Sequence, residues 1–155
     1  MKLLSTLAVA AFLITPALAE DEPAPAGAPA LSQILRTVED NGARTVYSAE
    51  RERRTWEVVS CLGQSRDCRE DEIDIATGAL RSSENEDVSR LPPADARPAS
   101  AIVEQVEKLA IGDVTEIEFD DRRWEVEVRN GARRAEFRID PMTGETQRCE
   151  GTLCP

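Results

Sequence analysis

The chain has 155 residues, with 30 acidic side chains against 19 lysines and arginines and a formal net charge of −11. So negative a surface repels phosphate backbones and anionic membranes, which argues against nucleic acid as a partner. The sequence contains no histidine, which removes the usual general base and the catalytic triads built on it.

The N-terminal residues have the organisation of a secretory signal peptide. A positive charge at Lys2 precedes an apolar run at 3–14, and residues 17–19 form a small-x-small cleavage site. We predict residues 1–19 as a Sec-type signal peptide cleaved after Ala19, which would make the protein periplasmic or secreted. An uncleaved membrane anchor is the alternative, but the apolar run is short for a span of about 20 residues. No stable membrane insertion is therefore expected after cleavage.

Two segments are predicted to be connections. Residues 20–29 form a Pro/Ala-rich leader, which should be extended. Residues 81–97 have little apolar content beyond Val88 and Leu91, and a linker is predicted there. Three segments remain between and after these connections: 30–80, 98–148 and a C-terminal tail at 149–155.

Each of the two longer segments opens with an amphipathic helical pattern, in which apolar residues recur at three- and four-residue intervals. In the first segment the stripe consists of Leu31, Ile34, Leu35 and Val38. In the second segment it consists of Ile102, Val103, Val106 and Leu109. Because an apolar stripe has to be buried, each helix is expected to pack against another element.

After each helix the apolar period changes to two, which is typical of strands. The phrase Ile-Asp-x-x-Thr-Gly occurs twice, at 73–78 and 139–144, and Trp56 and Trp124 lie sixty-eight residues apart (124 − 56). We interpret these matches as a duplication. The predicted fold class is α+β, with two repeated units that each have one helix packed on a small antiparallel β-sheet.

A two-residue turn at Asn130-Gly131 is predicted to join the strands of the second hairpin, since both residues tolerate positive φ. That turn would place Trp124 opposite Phe137 on the inner face. The charged residues that alternate with the apolar ones would then share the outer face.

Four cysteines in an exported chain predict two disulfides, because the compartment beyond the membrane is oxidising. Three pairings are possible, and sequence proximity favours Cys61–Cys68 and Cys149–Cys154. A zinc site is the alternative. The cysteine spacings, without any histidine, do not fit the usual zinc-ligand patterns.

The first hairpin has a register that agrees with one of these disulfides. If Cys61 and Cys68 lie opposite each other, Trp56 falls opposite Ile73 on the inner face. The same register puts Asp71 on the inner face, opposite Val58. A carboxylate is not expected in that position.

The repeated phrase predicts a turn at the end of a strand. In its second occurrence Asp140 starts the turn, Pro141 presets φ, and Thr143 precedes Gly144, which takes the positive φ. The first occurrence has Asp74, Thr77 and Gly78 at the matching positions, without the proline. We predict a structural motif at both places; an ion or peptide site is the alternative.

The stretch WEVEVRNGARRAEFRIDPMTGE at 124–145, behind an amphipathic helix, resembles the PepSY domain. The first segment, with WEVV and EIDIATGA, looks like a diverged second copy. The resemblance implies a small noncatalytic α+β module of exported bacterial proteins. It is similar to a module in the propeptides of secreted metallopeptidases, for which an inhibitory or folding role is the expectation.

These observations predict an exported protein that is not an enzyme and that acts by binding a protein partner. Its most concrete form is a modulator or inhibitor of a secreted or periplasmic peptidase, which is inherited from the resemblance. No catalytic residue, metal ligand or cofactor is predicted, and neither partner-binding residues nor an oligomeric state are indicated. One alternative is a cation-binding or sensing module, because the stretches at 69–75 and 82–87 concentrate oxygen ligands. Another is a structural envelope protein.

Overall fold

The computed structural model describes residues 24–155. The predicted signal peptide at 1–19 and the start of the leader at 20–23 lie outside the described residues. The described residues form two helices and eight strands, in the order helix, four strands, helix, four strands.

The two helices form where the apolar stripes predict them. They are α1 (Leu31–Asp40) and α2 (Ala99–Glu107). All residues of the two predicted apolar stripes are buried except Leu109, which follows the end of α2. Leu109 is 45% exposed because α2 ends at Glu107 and the chain turns through Ala110, whose φ is 51°. Neither helix of the described part is long and apolar enough to cross a membrane.

All eight strands belong to one antiparallel sheet, whose spatial order is β4-β3-β2-β1-β5-β6-β7-β8. The strands are β1 (Arg44–Glu52), β2 (Thr55–Leu62), β3 (Cys68–Asp74), β4 (Leu80–Glu86), β5 (Asp113–Asp120), β6 (Arg123–Asn130), β7 (Arg133–Ile139) and β8 (Thr146–Gly151). Each pair of neighbours is antiparallel.

The prediction of two repeated units, each one helix on its own small sheet, is wrong. β1 pairs with β5 at the centre of the sheet, where Ala49 lies opposite Ile117, so the strands form a continuous surface. Both helices contact that surface and each other, and they bury a single hydrophobic core. The apolar period of a strand specifies which side chains face inward. It does not specify which strand edges meet.

The contact between the helices is polar at its exposed edge. Arg36 of α1 and Glu104 of α2 form an ion pair with 2.8 Å between Nη2 and Oε2. Glu104 also pairs with Lys108 one turn later on its own helix, at 2.9 Å. These partners lower the pKa of the Glu104 carboxyl, with the Lys108 hydrogen bond as the larger cause and the Arg36 hydrogen bond next.

The predicted linker at 81–97 is wrong in its first part. Leu80–Glu86 is the strand β4, which pairs with β3 along its length. All seven of its residues are exposed. Because β4 buries neither face, its sequence has no alternation of apolar and polar residues from which a strand could be predicted. The rest of the segment does connect, and its Val88 and Leu91 cover the Cys61–Cys68 disulfide on the outer face of the sheet.

The second hairpin has a different register from the predicted one. Its two-residue turn is Gly131-Ala132, because Asn130 already pairs with Arg133. Trp124 therefore lies opposite Ile139 and not opposite Phe137. The partner of Trp124 is shifted by two residues, from Phe137 to Ile139. Because side chains alternate with a period of two, a shift of two residues keeps the predicted inner and outer faces.

The tail at 149–155 is also shorter than predicted. β8 continues to Gly151 and pairs with β7, so only residues 152–155 follow the last strand.

Candidate functional site

The four cysteines form two disulfides in the pairing that sequence proximity favours, Cys61–Cys68 and Cys149–Cys154. The first lies across the β2–β3 hairpin, in the expected register, with Trp56 opposite Ile73. Disulfides persist in oxidising compartments, so both fit an exported or envelope protein.

The two tryptophans belong to the core. Trp56 and Trp124 are 5% and 1% exposed, and both face the helices. Trp124 packs edge-on against Phe119, with 5.3 Å between the ring centroids, which is a favoured aromatic geometry.

The two Asp-x-x-Thr-Gly turns hold themselves together. Asp74 Oδ1 accepts hydrogen bonds from the backbone N–H and hydroxyl of Thr77, at 2.9 and 3.0 Å. Asp140 Oδ1 accepts from the N–H groups of Met142 and Thr143, at 2.8 and 2.9 Å. Hydrogen bonds lower the pKa of the Asp74 carboxyl, with the Arg81 side chain as the largest cause and the Thr77 side chain next. The backbone N–H groups of Thr143 and then Met142 lower the pKa of the Asp140 carboxyl in the same way. Each carboxylate is thus occupied by its own turn.

The second turn is also fixed to α2 and the chain before it. Arg97 donates from Nη1 to the Thr143 carbonyl at 3.0 Å, and Gln105 donates to the Gly144 carbonyl at 2.8 Å. The φ of Gly144 is 76°, a conformation that favours glycine, and a Cβ there would displace the Arg97 guanidinium from its place beside the turn. Pro141 contributes its carbonyl, which accepts from the Arg97 N–H at 2.7 Å.

The first turn leaves an open groove instead. The groove lies between α1 and the strands β3 and β4, with a volume of about 340 Å³. Its apolar walls include Ile34 and Val38 from α1 and Ile73 and Leu80 from the sheet. Leu80 is 57% exposed, so one apolar wall of the groove is open to solvent.

A buried polar cluster forms the floor of this groove. Asp71 is 1% exposed, and its carboxylate accepts from Arg69 Nε at 2.9 Å and from Ser83 Oγ at 2.6 Å. Asp71 lies on the inner face, as the predicted register places it, and these contacts explain how a carboxylate is accommodated there. Arg69 is only partly buried, with 36% of its side chain exposed in the groove.

The second hairpin fills the comparable place with apolar groups. Phe137 occupies the position in β7 that Asp71 occupies in β3, because each lies two residues before the last inward isoleucine of its strand. Cys149 of β8 lies opposite Phe137. Leu153 and both cysteines of the C-terminal disulfide pack on the core there. The groove is therefore specific to the α1 side of the sheet.

The outer face of the sheet carries a row of directly opposed glutamates. One residue from each of seven neighbouring strands contributes to it: Glu72, Glu57, Glu50, Glu116, Glu127, Glu136 and Glu150. We call this set the glutamate row. Like charges in opposed positions destabilise a sheet.

The two ends of the glutamate row differ in whether arginines neutralise the glutamate charges. Glu127 pairs with Arg129 at 2.6 Å, and Glu150 pairs with Arg148 at 2.5 Å. Towards β4, burial followed by neighbouring glutamates raises the pKa values of Glu57 and Glu116. The sheet is therefore acidic beside β4 and mixed in charge beside β8.

Among residues 24–155, no group of three or more acidic or cysteine side chains is arranged to hold a metal ion. The predicted acidic stretches at 69–75 and 82–87 instead contribute to β3 and β4, where alternate residues face opposite sides of the sheet. Period-two alternation thus puts Asp71 on the helix side, while Glu70, Glu84 and Glu86 lie on the outer face.

Sequence reasoning found the structural residues and missed the groove. The predicted disulfides, tryptophans and turns all maintain the fold, whereas the sequence predicts no role for Leu80, one of the exposed apolar residues. The signal that could have located the groove was Asp71. A carboxylate predicted on an inner face marks a place where the apolar core stops.

The fold and this site define a disulfide-linked α+β protein with one sheet, two helices on one face and an open groove at one edge. Residues 75–149 match the family model PepSY_2, described as "Peptidase propeptide and YPEB domain". The resemblance to PepSY proteins is thereby confirmed for this segment, which includes α2 and the strands β5 to β7. The match does not extend over residues 30–74, so it gives no support to the predicted tandem repeat.

No curated protein matches the chain. A crystal structure of a protein described as a candidate lipoprotein from Clostridium difficile 630 aligns with 79% of this chain and 93% of its own. The sequence identity is 14% and the TM-score is 0.47, and no conclusion about function follows from this likeness.

Proposed function

We propose that this chain is an exported, noncatalytic protein that acts by binding another protein. The observation that carries the proposal is the open sheet edge beside the groove, where an exposed strand and an exposed Leu80 lie together. Unpaired strand edges and exposed apolar side chains are the features by which small sheets accept partners. The proposed location is the periplasm or the medium, reached by the predicted signal peptide with cleavage after Ala19.

The most concrete form of the proposal is restraint of an exported peptidase. It is supported by the description of the family model that matches residues 75–149, which names peptidase propeptides. Restraint of a peptidase would act by contact, so it would require no chemistry of the chain itself. The described residues supply no competing support for the cation-binding alternative.

Site-directed photo-crosslinking in the native exported fraction tests the proposal. A benzophenone amino acid replaces Leu80 in the groove, and the same group replaces Met142 as the control, since the two side chains are 57% and 44% exposed. We expect a protein adduct from position 80 and none from position 142. Absence of any protein adduct at position 80 would contradict protein binding through this edge.

Peptidase assays with the captured partner test the concrete form separately. Purified protein, added in equimolar amount, is expected to slow substrate cleavage by an exported peptidase recovered as the adduct. If the recovered protein is not a peptidase, or if its cleavage rate does not change, peptidase restraint is wrong while protein binding stands.

A further inference from the structure

The sheet has two edges, and they differ in how well they could accept another strand. No other strand within residues 24–155 pairs with the outer side of β4 or of β8. On the helix side of β8, however, Leu153 and the Cys149–Cys154 disulfide already pack on the core. The edge at β4 has no such cover, because the groove lies open beside it. An added strand would therefore gain apolar contacts only at β4.

The side chains of β4 alternate between the two faces of the sheet from Ser82 to Glu86, and an irregularity at Arg81 puts Leu80 on the same face as Ser83. Leu80 and Ser83 lie opposite Ile73 and Asp71, which places them on the helix side with the groove. Glu84 lies opposite Glu70 on the outer face, and Glu86 follows it two residues later. A strand paired with β4 would continue this alternation, with every second side chain over the groove.

The charges on the outer side indicate the chemistry of the partner. Burial, followed by the charges of Glu86 and Glu84, raises the pKa of Glu70, so these three carboxylates repel one another. Cationic side chains opposite Glu84 and Glu86 would relieve that repulsion. Towards the helix side, Ile34, Val38 and Leu80 offer apolar contact to the intervening residues.

The same charges disfavour a second copy of this chain as the occupant. Antiparallel pairing of two β4 strands would bring the two sets of Glu84 and Glu86 to one interface. Like charges across a strand pair destabilise it, so a symmetric edge-to-edge dimer is not favoured.

We infer that β4 is a strand-addition site whose occupant is an extended segment of another protein in which lysine or arginine alternates with apolar residues. The inference rests on the proposed function and specifies its partner: backbone hydrogen bonds to β4 supply pairing, the acidic outer side selects the basic residues, and the groove selects the apolar ones.

A synthetic peptide tests the inference directly. The probe is a blocked, fluorescently labelled seven-residue peptide of alternating lysine and valine, which matches the seven residues of β4. Two control peptides carry alternating glutamate and valine, or the probe sequence with alternate backbone nitrogens methylated. We expect the full protein to bind the probe and neither control, since methylation removes the hydrogen-bond donors of one strand edge.

Matched variants locate the binding on one edge. The double variant Glu84→Arg/Glu86→Arg is expected to weaken probe binding by about tenfold, because each substitution replaces an attractive charge pair with a repulsive one. Glu150→Arg on β8 is the control and should change the affinity less than about twofold. All three residues are exposed, so the fold should be retained, which far-UV circular dichroism and the denaturation midpoint will verify.

Amide hydrogen exchange provides the independent readout. Probe binding is expected to protect amides of β4 and to leave those of β8 unchanged. Equal weakening by the β4 and β8 variants, unchanged binding by the methylated probe, or a dimer through β4 would each overturn the inference. If the crosslinked native partner binds the β4 double variant as well as it binds the original chain, strand addition is wrong and the proposed protein binding still stands.

Discussion

Ser100, at the start of α2, donates both its backbone N–H and its hydroxyl to the carboxylate of Glu39, near the end of α1. Ser32 and Glu107 repeat the arrangement at the other end of the helix pair, with 3.2 Å between the Ser32 nitrogen and Oε1. The N-cap residues of the two helices make no side-chain cap hydrogen bonds. Each helix thus caps the other, which fixes their antiparallel arrangement.

Removing one of these caps should destabilise the whole protein. Glu39→Ala leaves the Ser100 N–H and hydroxyl without their acceptor, and we expect a loss of about 1–2 kcal/mol in the free energy of unfolding. Ser100→Ala added to Glu39→Ala should cost little more, because the two residues share one interaction. Urea denaturation of the single and double variants measures the coupling. Full additivity of the two substitutions would contradict this cap.

Glu39 should also make stability depend on pH. Burial is the largest cause that raises the pKa of its carboxyl above 4.5, and the hydrogen bonds from Ser100 only partly oppose it. A raised pKa in the folded state means that folding takes up a proton. The stabilisation is therefore complete below pH 4.5 and is lost as the pH rises through the folded-state pKa.

Glu39→Gln tests that pH dependence, because the amide keeps an acceptor for Ser100 and cannot ionise. We expect the unfolding free energy of the variant, relative to the original chain, to increase between pH 4 and pH 7. Denaturation midpoints at half-unit pH steps provide the measurement. A difference between the two proteins that is independent of pH would show that Glu39 does not titrate differently on folding.

The sequence predicts the local elements better than their assembly. The i, i+3, i+4 stripes locate both helices, and the alternation after Trp124 assigns the inner face of the second hairpin, because burial of one face produces those periods. The pairing of Ala49 with Ile117 joins strands almost seventy residues apart, and no local pattern specifies such a contact. The β1–β5 pairing joins all eight strands into one sheet. The prediction of two separate sheets is wrong because that pairing depends on contacts between distant parts of the sequence.

The candidate site follows the same division. The turn at Asp140 is predictable because its hydrogen bonds run to residues two and three positions away. The groove is not, because it depends on the absence of bulk between α1 and β4, elements that are distant in the sequence. β4 itself has no apolar face, so hydrophobic periodicity could not identify it.

The glutamate row predicts a stabilising substitution on the outer face. Glu57 lies opposite Glu50 on one side and Glu72 on the other. We expect Glu57→Gln to raise the unfolding free energy at pH 7 by about 0.2–1 kcal/mol, through loss of like-charge repulsion. Burial, followed by neighbouring glutamates, raises the pKa of Glu57 above 4.5. Its charge therefore costs stability as the pH rises, and the advantage of glutamine should grow in that direction.

Glu127→Gln is the matched control for this substitution. Glu127 belongs to the same row, but Arg129 lies 2.6 Å from it and Arg134 lies 3.9 Å away. Removing its charge should leave stability unchanged or lower it slightly, since an exposed ion pair contributes about 0–1 kcal/mol. If both substitutions stabilise equally, the arginines do not compensate the row as its geometry indicates.

The buried cluster below the groove predicts a large loss when one partner is removed. Arg69→Met keeps most of the side-chain volume but leaves the Asp71 carboxylate with only the Ser83 hydroxyl. We expect a loss of about 1–3 kcal/mol, which is the cost of a buried polar group deprived of a partner. Asp71→Asn should cost less, because Arg69 is 36% exposed and water can solvate its charge.

The double variant Arg69→Met/Asp71→Asn shows whether the stability of the fold depends on the charges of Arg69 and Asp71 or on the space that their side chains fill. In Arg69→Met/Asp71→Asn no buried charge remains, so we expect the double variant to be more stable than Arg69→Met alone, and thermal unfolding of the four proteins measures the difference. Apolar replacement of a buried ion pair is often neutral or stabilising, and Phe137 shows that the sheet tolerates a large apolar side chain at the comparable position of β7. A double variant less stable than either single variant would show that Arg69 and Asp71 maintain the fold. The expected recovery would show that the loss in Arg69→Met comes from the Asp71 carboxylate left without its partner, and not from the space that Arg69 fills.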